Sequence, residues 1–151
     1  MEHSKVELSQ RLAEVLADVV VAKFLLHGYH WNVTGPNFSE QHAFFAMLYE
    51  DYDSSIDDLA ENIRKMGVAA PYLLTDFLEL SHINEERIDG ALIAELFNSA
   101  LRINSHLIEC HYGMFAAASE ANRQGLADYL AGRIDTLEKW NWQIKAHLGV
   151  R

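Results

Sequence analysis

The stretch HGYHWNVTGPNFSEQHAFF, residues 27–45, holds three histidines, a tryptophan and a Gly-Pro turn. His27 and His30 are spaced to share one helix face, and His42 lies just beyond the turn. Thr34-Gly35-Pro36 ends one helix, and Asn37 with Glu40 three residues on predicts a capping pair opening the next. The histidines therefore stand at a helix–helix corner. There they either hold a metal or serve as capping and core residues.

Working outward, Leu8, Leu12, Val15, Leu16, Val19 and Val20 follow helical spacing and continue into Phe24, predicting a first helix from Val6 to about Val33. The second is expected to reach about Met66, with Gly67 as its stop. Between Pro71 and Asp89 runs a long connection carrying one amphipathic piece, YLLTDFLELS. Asp89-Gly90 reads as a start signal, with helix from Ala91 to roughly Asn122. NRQG breaks it, and a last helix is expected from about Leu126 to Leu148. Strand-like alternation is absent. Short loops make the first and last pairs antiparallel, and a connection of about twenty residues can traverse a bundle. The expectation is all-α: a four-helix bundle with a crossover connection carrying a short helix, in one domain over residues 1–151.

The formal charge of −10 disfavours a protein that lives on phosphate contacts. It favours either plain solubility or a surface that attracts cations. No apolar run approaches the roughly 20 residues of a membrane span. The opening MEHSKVELSQRL lacks a basic region followed by an apolar block, so no secretory signal is expected. The single cysteine, Cys110, fits a reducing cytosol and reads as a small buried hydrophobe. A cytoplasmic protein is expected.

Helix geometry constrains any metal site. His42, Ala46, Asp57 and Glu61 fall within a stripe of about 100° on the second helix. A rise of 1.5 Å per residue nevertheless puts His42 about 22 Å from Asp57 along the axis. A second copy packed antiparallel about a two-fold axis brings His42 of one subunit to Asp57 and Glu61 of the other. Imidazole with carboxylate suits iron, and also zinc, manganese or cobalt. The alternative is that the carboxylates are a solvated face. Glu79-x-x-His82 is a single motif on the connection and reads as surface chemistry.

HWNVTGPNFSEQH (30–42) followed by DDLAENIRKMG (57–67), with the late LEKWNWQIKAHL (137–148), resembles the signature of Dps proteins, the mini-ferritins. The resemblance runs over almost the whole chain. It implies a ferritin-like bundle assembled as a hollow dodecamer. It also implies oxidation of ferrous iron by hydrogen peroxide, or by oxygen, at two-fold interfaces. Ferric mineral is then stored, protecting against oxidative stress. Carried over, the ligands are His30 and His42 of one subunit with Asp57 and Glu61 of its partner. The family's further Asp, one turn after the second histidine, is replaced here by Ala46. His27 stands where many relatives have Lys, and a crossover brings the end of the last helix, with His147, to the same corner. A histidine-rich centre, in which His27 and His147 offset the missing carboxylate, is one expectation; it would also hold zinc as a competitor.

Trp31, Trp140 and Trp142 read as packing residues, and Tyr49 and Tyr52 as core or interface. His82, His106 and His111 read as structural or surface histidines. The acidic pores of the family point to Glu120 and Asp128, with Arg123 and Gln124 intervening. DNA binding, which in the family rests on a lysine-rich tail, is not expected. Two rival readings are a non-catalytic cage holding zinc or iron and a nucleoid-associated interaction protein.

Overall fold

Among the described residues the chain forms five helices and no strand: α1 (Glu2–Asn32), α2 (Phe38–Lys65), α3 (Leu74–Leu80), α4 (Ile93–Glu120) and α5 (Gln124–His147). The structure is a computed structural model that describes the backbone of residues 2–88 and 92–151, and side chains from Lys5 onward. The expected start signal Asp89-Gly90, the residue Ala91 and the side chain of His3 lie outside the described residues.

Side-chain pairs define the helix directions. His30 with His42, His27 with Tyr49 and Lys23 with Asp53 run α1 against α2. Phe44 packs on Phe97, and Tyr52 donates to Asn104 Oδ1 at 2.7 Å, so α2 and α4 advance in parallel. Parallel neighbours need a connection that returns the length of the bundle, which explains the long segment between Lys65 and Ile93. Asp18 of α1 anchors that segment by accepting from the Ser81 hydroxyl at 2.8 Å and the His82 backbone N–H at 2.6 Å.

Leu12, Leu16, Leu26, Leu48, Leu59, Leu107, Leu130 and Leu137 are fully buried, so the apolar stripes close one core between the four long helices. Buried polar groups fix the register inside it. Asn104 receives the Tyr52 hydroxyl and donates to the Leu137 carbonyl at 2.8 Å, joining α2, α4 and α5. The Tyr29 hydroxyl pairs with Ser99 Oγ at 2.7 Å, joining α1 to α4. Leaving one such buried group unpaired costs about 1–3 kcal/mol.

Several boundaries differ from the sequence expectation: α1 starts at Glu2 ahead of Val6, α4 starts at Ile93 after Ala91, and two turns are built differently. Asn37 makes no side-chain cap; it adopts φ 61°, ψ 30°, and its carbonyl receives the Gln41 N–H at 3.1 Å. The tight Gly35-Pro36-Asn37 turn, with Gly35 at φ 112°, uses Asn37 as a left-handed hinge instead. At the α4 end, Asn122 at φ 56° terminates the helix, with Arg123 N–H on Ala118 O and Asn122 N–H on Ser119 O. Gly125 therefore falls in the first turn of α5, which begins two residues earlier than expected. Among the described residues no helix is long and apolar enough to cross a membrane.

Candidate metal centre

The turn between α1 and α2 brings His30 and His42 face to face. Their rings stack with centroids 3.7 Å apart and planes inclined by 17°. Nδ1 of His30 donates to the His42 carbonyl at 2.7 Å, and Nδ1 of His42 donates to the His30 carbonyl at the same distance. Each ring is thus held in the tautomer that leaves the Nε2 lone pair for a cation. His30 is the last-turn residue of α1 and His42 stands in the second turn of α2, so two helix ends supply two oriented imidazoles.

His27 lies one turn back on α1. Its ring stacks on Tyr49 at 4.0 Å and meets Trp31 at 4.1 Å with the planes tilted by 39°, while the His30 ring is 6.2 Å away. Desolvation lowers its pKa, and Lys23 and His30 add to the effect. A neutral imidazole is the form that binds metal. Sequence reading gave Tyr49 only a core or interface role. Its spacing of seven residues from His42 was the available signal that it shares the histidines' face.

Asp57 and Glu61 are exposed further down the continuous α2, and among the described residues neither has a hydrogen-bond or ion-pair partner. Ala46 lies half-buried between them and His42 along the helix. Because α2 is unbroken, a subunit cannot bring its own histidines and carboxylates to one ion. Large apolar side chains flank the same face: Phe24, Trp31 and Phe38 are about half exposed, and the Phe38 ring lies 5.0 Å from His42.

His147 reaches the expected end of the bundle on the other side of α2. Its ring stacks on Phe97 at 4.5 Å and touches Phe44 at 4.4 Å. Phe44 points roughly 200° around α2 from His42. Within the subunit His147 is therefore not gathered with His27, His30 and His42, and contact with the aromatic rings lowers its pKa through desolvation. Glu120 and Asp128 are exposed at the opposite end of the bundle, near the α4–α5 junction.

The ferritin-like domain matches residues 9–150. The DNA protection during starvation protein of Brevibacillus brevis is 33% identical over 144 residues, covering 92% of this chain and 96% of that one. The crystal structure of antigen TpF1 from Treponema pallidum superposes with a TM-score of 0.93 at 25% identity, covering 97% of this chain and 94% of that one. A Dps protein from Vibrio cholerae O1, described as a member of a broad superfamily of ferritin-like diiron-carboxylate proteins, superposes with a TM-score of 0.90 at 28% identity, covering 97% and 92%.

Proposed function

This chain belongs to the ferritin-like family and, within it, to the Dps proteins, and on that premise we propose that it oxidises ferrous iron at centres shared between subunits and stores the ferric product. The observation that carries the reading is the reciprocal His30–His42 lock, which presents two Nε2 lone pairs on a face that also bears two exposed carboxylates. The ligands proposed are His30 and His42 of one subunit with Asp57 and Glu61 of its two-fold partner, and His27 as a third imidazole. His147, packed between Phe44 and Phe97, is left out of this set.

Ferrous iron and hydrogen peroxide are the substrates. Each ferrous ion gives one electron; a peroxide molecule accepts two, its O–O bond breaks, and its oxygens pass as hydroxide into the ferric product. Asp57 and Glu61 favour the harder ferric charge, which drives the oxidation forward. His30 and His42 are held by backbone carbonyls and need no reorganisation when iron arrives. The exposed Phe24, Trp31 and Phe38 supply the apolar border of the two-fold interface. The assembly proposed is a homododecamer in the cytoplasm, with zinc as a competitor at the centre. The charge of −10 per subunit argues against DNA as a partner at neutral pH.

The test is ferric formation, followed by ultraviolet absorbance, after anaerobic ferrous loading and addition of peroxide. The wild type is expected to outpace buffer and His42→Ala by at least about tenfold. Equal rates would leave the other reading that Ala46 favours, a cage that binds metal without turnover.

A further inference from the structure

On the far side of α1, residues separated by up to 92 positions converge on one carboxylate. Asp18 is 1% exposed. Its Oδ2 lies 2.8 Å from His106 Nε2 and 3.5 Å from Cys110 Sγ, and those two atoms are 3.3 Å apart. His82 on the connection holds its Nδ1 4.0 Å from the same oxygen, on a side chain 58% exposed. We propose that Asp18, His82, His106 and Cys110 form a zinc site within each subunit, separate from the two-fold iron centre.

The geometry supports a tetrahedral ion. Zinc bonds of about 2.3 Å to sulfur and 2.0–2.2 Å to nitrogen and oxygen place S···N and S···O neighbours about 3.6 Å apart and N···O neighbours about 3.4 Å apart. Both sulfur edges already lie near that spacing, and the Nε2–Oδ2 edge needs to open by about half an ångström. His106 and Cys110 are i and i+4 on α4, so one helix face presents both.

The surroundings are those of a supported ligand. Asp18 Oδ1 is held by the Ser81 hydroxyl and the His82 N–H, which turns Oδ2 toward the other donors. The backbone of His82 is thereby pinned beside the site its ring would complete. An open cleft of about 300 Å³, lined by Glu14, Asp18, His82, His106 and Cys110, gives an ion access from solvent. Burial, with Asp18 adjacent, pushes the Cys110 thiol up to about 12, so it keeps its proton until a cation displaces it. On binding, Sγ forms its bond to zinc and the thiol proton leaves to solvent; no electron is transferred. A thiolate among the donors selects zinc over the harder iron cations. The ion would tie α1, the connection and α4 together at one point.

The two metal centres are told apart by sulfur, since the two-fold centre has none. Metal-free assembled protein titrated with Co²⁺ is expected to show a thiolate-to-cobalt charge-transfer band in the near ultraviolet, abolished by zinc. Cys110→Ser and Cys110→Ala should lose the band while keeping helix content and ferrous oxidation. The His30→Ala/His42→Ala double variant should keep it. His106→Gln, which retains a polar side chain, should weaken cobalt binding by at least about tenfold. No band in the wild type, or a band unchanged in both Cys110 variants, would overturn the site and leave Asp18 as a hydrogen-bonded tie only.

Discussion

His30 and His42 each donate Nδ1–H to the other's backbone carbonyl at 2.7 Å, so the two imidazoles orient one another across the α1–α2 turn. The same contact that closes the helix corner selects the tautomer that the proposed iron centre needs. Closing the hairpin also orients both imidazoles of the proposed centre.

A shared centre predicts complementation between defective subunits. His42→Ala and Asp57→Ala assemblies should each oxidise iron slowly. Co-assembled from an equimolar mixture, the mixed pairs have one centre that has lost both contributions and one that is intact, while like pairs have none intact. Recovery of a substantial share of wild-type ferric formation is expected, whereas a centre built within one chain would recover nothing.

The two-fold axis can be located on α2. Pairing His42 with Asp57 and Glu61 of an antiparallel copy puts the crossing between residues 49 and 52, by averaging the paired numbers. Glu50 is exposed and falls within the same stripe. In a Cys110→Ser background, Glu50→Cys should yield a disulfide-linked dimer on oxidation, seen on a non-reducing gel, since helices pack about 8–10 Å apart. Failure to cross-link, against ready cross-linking from a distant surface position, would argue for a different interface.

Ala46→Asp restores a carboxylate one turn beyond His42 on the proposed centre. Its added negative charge should tighten ferrous binding and raise the initial oxidation rate several-fold, with zinc inhibiting both proteins. Stopped-flow absorbance reads the rate, and titration calorimetry with zinc reads the competition.

Asp51 receives Arg133 through both guanidinium Nη atoms, at 3.0 and 2.9 Å, and the Trp140 indole N–H at 2.9 Å. The pair is largely buried between α2 and α5. Removing one charge strands the other, so Asp51→Ala should cost about 3 kcal/mol. Trp140→Phe, which loses one hydrogen bond, should cost about 1 kcal/mol. Urea midpoints at fixed protein concentration check both.

His111 predicts acid sensitivity. Its ring is fully buried, Nδ1 donates to the Leu107 carbonyl at 2.6 Å, and Nε2 has no hydrogen-bond partner among the described residues. Burial pulls its pKa down to about 4; the Leu107 bond opposes the shift, Arg133 adds to it, and Asp18 resists it weakly. The unfolded chain takes up this proton near pH 6.5, before the folded one does. Stability contributed by the neutral ring is therefore complete above about pH 6.5 and falls until about pH 4, by ~3 kcal/mol. His111→Phe should flatten that part of the urea-midpoint profile between pH 7 and pH 5.

Local spacing made much of this legible. The helices lay in the period of Leu8, Leu12, Val15 and Val19, and the corner in Gly35-Pro36. Helix rise alone ruled out a centre joining His42 to Asp57 of the same chain. Asn37 misled because an Asx side chain serves both as a cap and as a left-handed hinge, and only the tightness of the turn chooses between them. Cys110 and His106 read as isolated structural residues because their common partner, Asp18, lies 92 and 88 positions away.

The sequence by itself determined the elements, the helix–helix corner and the condition that a centre joining His42 to Asp57 draws on two subunits, because periodicity, turn chemistry and axial rise act between near neighbours along the chain. Tertiary packing decided how the long helices pair. It stacked His30 on His42, turned His147 toward Phe97 instead of that pair, and drew Asp18, His82, His106 and Cys110 together. Those outcomes depend on which helix faces meet after the crossover returns the chain, and burial of the whole core, not local spacing, selects them.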